Sequence, residues 1–162
     1  MVMRIVSVVA LAALVVSACS GSESPDLPDP VGSAVWNYLQ DVEYQDNWTL
    51  WPGKGELYEG GEPHGMLFTT YLSPSAIDAL TDKAGSMPAG AFIIKENYTA
   101  DAVLAALTVM YKVDGFNPEH NDWFFAKIAA DGEVVAEGQV EGCQACHGAA
   151  AANDYVLTAS LK

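Results

Sequence analysis

The sequence predicts an α+β fold, predominantly antiparallel β-sheet with a few flanking helices and a short helix near the C-terminus. Three observations carry this expectation. Runs of β-branched and aromatic residues recur along the chain, several of them alternating apolar and polar positions. Asp131-Gly132, between two such runs, is a hairpin signal, because a tight turn of this kind needs residues that tolerate positive φ. Helical spacing is confined to short stretches, and there is no internal repeat or second domain in the 162 residues.

The elements follow in chain order. Met1 to Ala18 has a short n-region with one basic residue, Arg4, then an apolar run from Ile5 to Val16. That run is too short for a stable membrane span and has the length of a signal-peptide core. It ends in Val16-Ser17-Ala18-Cys19, a pattern similar to the bacterial lipobox, in which Cys19 becomes the lipidated first residue. The alternative is an ordinary signal peptide cut nearby, with Cys19 incidental. Residues 19–30 are polar and rich in Pro, Ser and Asp, as a tether between lipid and domain should be. Ser20 favours the outer membrane if the host has two membranes, and the expected location is the periplasmic side. Residues 31–162 then form one domain.

Pro30 to Gln40 spaces Val31, Val35, Tyr38 and Leu39 as a helix does. Asn47 to Pro63 is loop-like, with Trp48, Trp51 and several glycines. Gly65 to Leu72 is a strand. Ser73-Pro74 opens a helix, Ser as N-cap and Pro at the first helical position, with Ile77 and Leu80 on its buried side. Ala91 to Tyr98 is a second strand. Thr99 to Ala106 is ambiguous, since alanine favours helix while Leu107 to Val113 is strand-like. Asp122 to Ala129 and Glu133 to Val140 flank the Asp131-Gly132 turn.

Acidic residues outnumber basic ones by 21 to 7, and the only arginine is Arg4. Such a domain repels nucleic acid and anionic lipid headgroups, so membrane contact would come from the lipid anchor alone. The acidic surface could steer a basic electron-acceptor cytochrome, or serve solubility alone.

Near the C-terminus stands Cys143-Gln144-Ala145-Cys146-His147. Cys-x-x-Cys-His is the covalent attachment pattern of a c-type haem. Two thiols one helical turn apart can each add to a vinyl group of one porphyrin, and the adjacent His147 then reaches the iron as proximal ligand. A redox Cys-x-x-Cys pair has no need of the His. A zinc site would need further Cys or His ligands at suitable spacing, and a second Cys pair is missing. The short C-terminal helix is thus expected to be haem-binding, with one covalent haem c. Cys19 acylated and Cys143 and Cys146 in thioethers would leave no thiol for a disulfide. With no arginine in the mature chain, lysines, backbone N–H groups or Tyr and Trp donors would have to meet the haem propionates.

In their order, these segments resemble the cytochrome P-460 family of periplasmic monohaem c cytochromes, which includes the cytochrome c′-beta branch. The resemblance runs from about Tyr44 to Leu161. It rests on Tyr71-Leu72-Ser73-Pro74, on Pro88 to Glu96, on Trp123-Phe124-Phe125-Ala126, on Cys143 to His147 and on Asn153-Asp154-Tyr155-Val156. It implies a lysine joined covalently to the porphyrin edge, on a strand matching Gly90 to Glu96, and Lys95 occupies that position. It also implies oxidation of hydroxylamine or handling of nitric oxide at an open distal iron, and frequent homodimers. The c′-beta branch lacks the linking lysine and places aromatic residues over the iron to select small gases. Phe68 lies on the strand that lines the distal pocket in this family, where some members carry a basic residue. For Lys95 the alternative role is a propionate partner or a solvent-facing lysine.

The sixth iron position divides electron transfer from chemistry. Met66, Met87, Met110, His64 and His120 are the nominal candidates: the methionines fit core positions, and the histidines fit turns or the surface, with His64 a distal-pocket candidate. Hydroxylamine oxidation also releases protons, so Glu137, six residues before Cys143, is a candidate catalytic carboxylate, the alternative being a solvent-facing side chain. The expected protein is therefore a lipid-anchored cytochrome oxidising a small nitrogenous substrate. The alternatives are a non-catalytic nitric oxide binder and a simple electron carrier.

Overall fold

A computed structural model describes residues 26–162. The signal segment, Cys19 and the first part of the tether lie outside the described residues. The elements are α1 (Gly32–Asp41), α2 (Tyr44–Asn47), β1 (Thr49–Leu50), β2 (Tyr58–Gly61), β3 (Gly65–Leu72), α3 (Pro74–Thr81), β4 (Phe92–Tyr98), β5 (Leu104–Lys112), β6 (Trp123–Ala129), β7 (Val134–Gly138) and α4 (Glu141–His147). A short 3₁₀ turn covers Pro118–His120, and another, Gly148–Asn153, continues from α4. The seven strands form one antiparallel sheet in the order β1-β3-β4-β5-β6-β7, with β2 paired to β3. The expected α+β class is what the structure shows.

Where the bounds differ from expectation, pairing explains it. Strand β5 begins at Leu104, inside the ambiguous stretch, because Leu104 and Ala106 register against Tyr98 and Asn97 of β4. Cross-strand contacts there outweigh the helix preference of alanine. The expected loop between Asn47 and Pro63 contains β1 and β2, strands too short for an alternation pattern to reveal. Ser73 and Pro74 open α3 as expected, yet the Ser73 hydroxyl does not cap the helix: it accepts the Phe92 N–H at 2.9 Å and ties the helix start to β4. Gly132 takes φ +92 in the β6–β7 turn and abuts the Trp36 ring, a position where a Cβ would meet the indole at 2.8 Å.

Alternation gives the sheet two different faces. One carries Tyr71, Phe92, Ile94, Leu107, Val109, Tyr111, Phe124 and Ile128, buried against Val35 and Leu39 of α1. The other is covered at one end by α3 and by Tyr155, Val156 and Leu161, which pack on Leu72, Ile93, Met110, Trp123 and Phe125. Each large side chain buried here contributes roughly 2–3 kcal/mol. The next row across this second face is Thr70, Lys95, Thr108, Lys127 and Ala136, in register from β3 to β7. That row is the floor of a cleft.

Candidate functional site

Helix α4 places Cys143, Cys146 and His147 at positions i, i+3 and i+4, on one side of a helix. Cys143 is half-buried against the α3-side core, while Cys146 is exposed, and both thiols are free. Burial, then the neighbouring Cys146, raises the Cys143 thiol above its ordinary pKa. The His147 ring is fixed from behind: its Nδ1 donates to the Tyr155 carbonyl at 2.9 Å. Since a carbonyl can only accept, the proton sits on Nδ1 and the Nε2 lone pair is free. Burial holds the ring below its ordinary pKa, against the opposing pull of that hydrogen bond. A neutral imidazole with Nδ1 tied to a carbonyl is the arrangement that metal-bound histidines adopt.

The Tyr155 carbonyl is itself held in place. Asp154 and Tyr155 both have positive φ, 54 and 65, an uncommon conformation for a bulky residue. Asp154 anchors the turn, its carboxylate accepting from Lys112 Nζ at 2.6 Å, the Met87 N–H at 2.7 Å and Asn121 Nδ2 at 3.0 Å. Its carbonyl takes the Trp123 indole N–H at 2.9 Å. His120 meets the Tyr155 hydroxyl at 2.9 Å. Four elements thus converge to hold one carbonyl behind His147, and the local strain is sustained by that network.

Across the cleft from α4 stands His64, on the turn between β2 and β3. Its ring centre lies 6.4 Å from that of His147, with the planes at 82°. Phe68, buried on β3, packs edge-on to His64 at 6.0 Å, and Lys95 Nζ lies 4.9 Å from the centre of the Phe68 ring. Burial lowers the pKa of Lys95 from its ordinary value. Burial, then the charges of Lys95, His147 and Lys127, pushes His64 down to about 4, so its ring is neutral at pH 7. Two spaces adjoin the imidazole pair, and His64, Thr108 and His147 border both. One, of about 360 Å³, is lined by Pro63, Lys127, Ala136, Cys143 and Cys146. The other, of about 30 Å³, is lined by Trp51, Lys95, Met110 and Val156.

The structure therefore gathers His147, Cys143, Cys146, Lys95, His64 and Phe68 around one cleft. It leaves others out. Glu137 registers with Ala126, on the opposite face of the sheet, and its carboxylate accepts the Gly32 N–H at the start of α1. The expectation that Glu137 serves the site is corrected by strand alternation, which turns it away. Among the described residues, no carboxylate lines either space. Met66 is exposed and Met87 is buried in the core; Met110 reaches the smaller space from the sheet. His120 stands behind Tyr155 rather than in the cleft. Thr108, Trp51 and Lys127 were not singled out by sequence, although Asn153 to Val156, which carries the Tyr155 carbonyl, belongs to the segments that bear the resemblance.

The residues fit a haem. Two thiols and an imidazole with a free Nε2 project from one helix end beside a largely apolar cleft of ligand size. No curated protein matches the chain. The model of a protein family described as Cytochrome P460 matches residues 46–158, a span that holds every cleft residue named above.

Proposed function

This chain belongs to the cytochrome P460 family, a family of haem cytochromes, and from that premise we propose that it holds one haem c covalently and oxidises hydroxylamine or nitric oxide. Cys143 and Cys146 would form the thioethers, His147 would ligate the iron, and Lys127, at the cleft margin, would meet a propionate. When bound, the haem supplies an iron centre that exchanges single electrons and accepts a small ligand.

The observation that carries the oxidative reading is Lys95. It sits on the cleft floor with its Nζ over Phe68, while the one salt bridge among the described residues joins Lys112 to Asp154 elsewhere. A lysine with lowered pKa and no carboxylate partner is a better nucleophile than an ordinary surface lysine, which suits it to bonding the porphyrin edge. That step breaks an amine N–H and a porphyrin C–H and passes two electrons to an oxidant such as a peroxide. Phe68, buried beside it, and Trp51, on the wall of the smaller space, make that corner largely apolar.

Cys19 lipidated on the periplasmic side and a basic acceptor cytochrome complete this reading, and the net charge of −14 supports such an acceptor. The test is a digest of the denatured holoprotein by mass spectrometry, with hydroxylamine turnover assayed alongside. The expected result is a Lys95 peptide that carries haem together with the Cys143–Cys146 peptide, and turnover that falls in Lys95→Ala. A Lys95 peptide free of haem would count against the cross-link and leave Lys95 as a propionate partner. The position of His64 opposite His147 favours a second reading, an electron carrier in which His64 as well as His147 would hold the haem. Absence of hydroxylamine and nitric oxide turnover, with no nitric oxide adduct and with electron exchange to an acceptor cytochrome, would select it.

A further inference from the structure

The geometry points to His64 as a second axial ligand, binding through Nε2 the same iron that His147 holds and closing the resting site. This assignment rests on the reading that His147 ligates a haem in the cleft. An imidazole nitrogen bonds a metal at about 2.0–2.1 Å, so two imidazoles trans across one ion have ring centres about 6.3 Å apart. The observed separation of His64 and His147 is 6.4 Å.

His64 is held through one ring nitrogen. Its Nδ1 lies 3.3 Å from the Thr108 hydroxyl, which also meets Asn97 Nδ2 at 3.2 Å and the Lys95 carbonyl at 3.5 Å. A hydroxyl oxygen has lone pairs that can accept the Nδ1 proton a ring bound through Nε2 carries. With Nδ1 engaged by Thr108, Nε2 is the nitrogen available to a metal. His147 is likewise held through Nδ1, by the Tyr155 carbonyl at 2.9 Å. Two histidines from opposite walls thus each have Nδ1 anchored to a neighbouring oxygen.

Other groups that reach the cleft are placed differently. Lys95 and Met110 rise from the sheet floor, on the in-register strands β4 and β5. His64, by contrast, is carried by the turn between β2 and β3. A ligand on a turn, unlike one on the sheet, can swing away, so a small molecule would enter by displacing it.

Absorption and low-temperature EPR spectra of the full-length holoprotein test the assignment. The expected result is low-spin, six-coordinate iron in the resting ferric and ferrous protein. His64→Ala should convert it to high-spin, and added imidazole should restore the low-spin signal. Lys95→Ala should remain low-spin. The rate of carbon monoxide binding to the ferrous wild type should level off as its concentration rises, limited by departure of His64, and in His64→Ala it should rise in proportion. High-spin iron in the resting wild type overturns the assignment, as does a His64→Ala protein that stays low-spin without imidazole. Conversion of Lys95→Ala to high-spin would give the position to Lys95 and overturn it equally. Should His64→Ala fail to retain haem, the wild-type spectra and the shape of its carbon monoxide curve still decide. Absence of haem mass on the wild-type chain removes both readings, whereas attached haem with high-spin iron removes this one alone.

Discussion

Lys95 and Glu96 are neighbours in sequence and opposites in setting. Alternation along β4 sends Lys95 into the cleft and Glu96 into the α1 face, where it is 1% exposed. Glu96 accepts three hydrogen bonds there, from Tyr44 Oη and Tyr98 Oη at 2.7 Å and from Gln45 Nε2 at 2.5 Å. Its charge raises the pKa of both tyrosines, although burial is the larger cause in each. Lys95 has an aromatic ring and no acid. The same contrast holds one strand pair away, where Lys127 borders the cleft and Glu137 binds the start of α1. In a chain with 21 acidic residues, the sheet thus keeps carboxylates on one side and bases on the other. A carboxylate in the cleft would pair with Lys95 and hold it protonated; its exclusion keeps the amine and both imidazoles free.

The comparison breaks most completely at α4. Replacing both Cys143 and Cys146 with Ala should abolish covalent haem, read as apoprotein mass after denaturation, while residual thermal unfolding shows the sheet still folded. The next largest effect belongs to Asp154, which supports the cleft from outside it. Asp154→Ala leaves Lys112, 11% exposed, without its partner and removes the anchor of the Tyr155 turn. Breaking a buried pair in this way costs about 3–5 kcal/mol, measured as a drop in the urea midpoint. Because the Tyr155 carbonyl then loses its fixed position, the reduction potential of the holoprotein should shift as well, whereas a purely structural role would leave it unchanged.

Much of this was legible from the residues. The Cys143 to His147 motif is local, and its chemistry depends on a spacing of one helical turn, so one stretch of sequence suffices to find it. Strands β3, β4 and β6 were visible because their apolar and aromatic residues recur with little interruption. Which face a given residue takes was not visible, since it depends on register, and a shift of one position exchanges the faces. Glu137 shows the cost: close to Cys143 in sequence, it points away in space. Thr108 was indistinct for a related reason, and hidden with it was its pairing with His64, itself a distal-pocket candidate from sequence. They meet across 44 positions of chain, and only the β2–β3 turn folding over β5 brings them together. The Tyr155 contribution is a backbone carbonyl, which carries no side-chain signature.

Two substitutions on the α1 face should sharpen the contrast, because they change buried acids without touching the cleft. Glu96→Gln replaces an acceptor of three bonds with a group that must also donate, at a cost of about 2 kcal/mol for charge-assisted bonds. The haem spectrum should stay as in wild type. An altered spectrum would mean that the two faces communicate through β4. Glu137→Gln is the smallest change. It keeps an oxygen for the Gly32 N–H and should cost under about 1 kcal/mol. Its kcat for hydroxylamine should match wild type across the pH range, because the side chain lies behind the sheet. A lowered kcat with a displaced acid limb would place Glu137 in the proton path and undo the separation of faces. Equality would keep Glu137 out of any proton path and uphold the separation of the two faces.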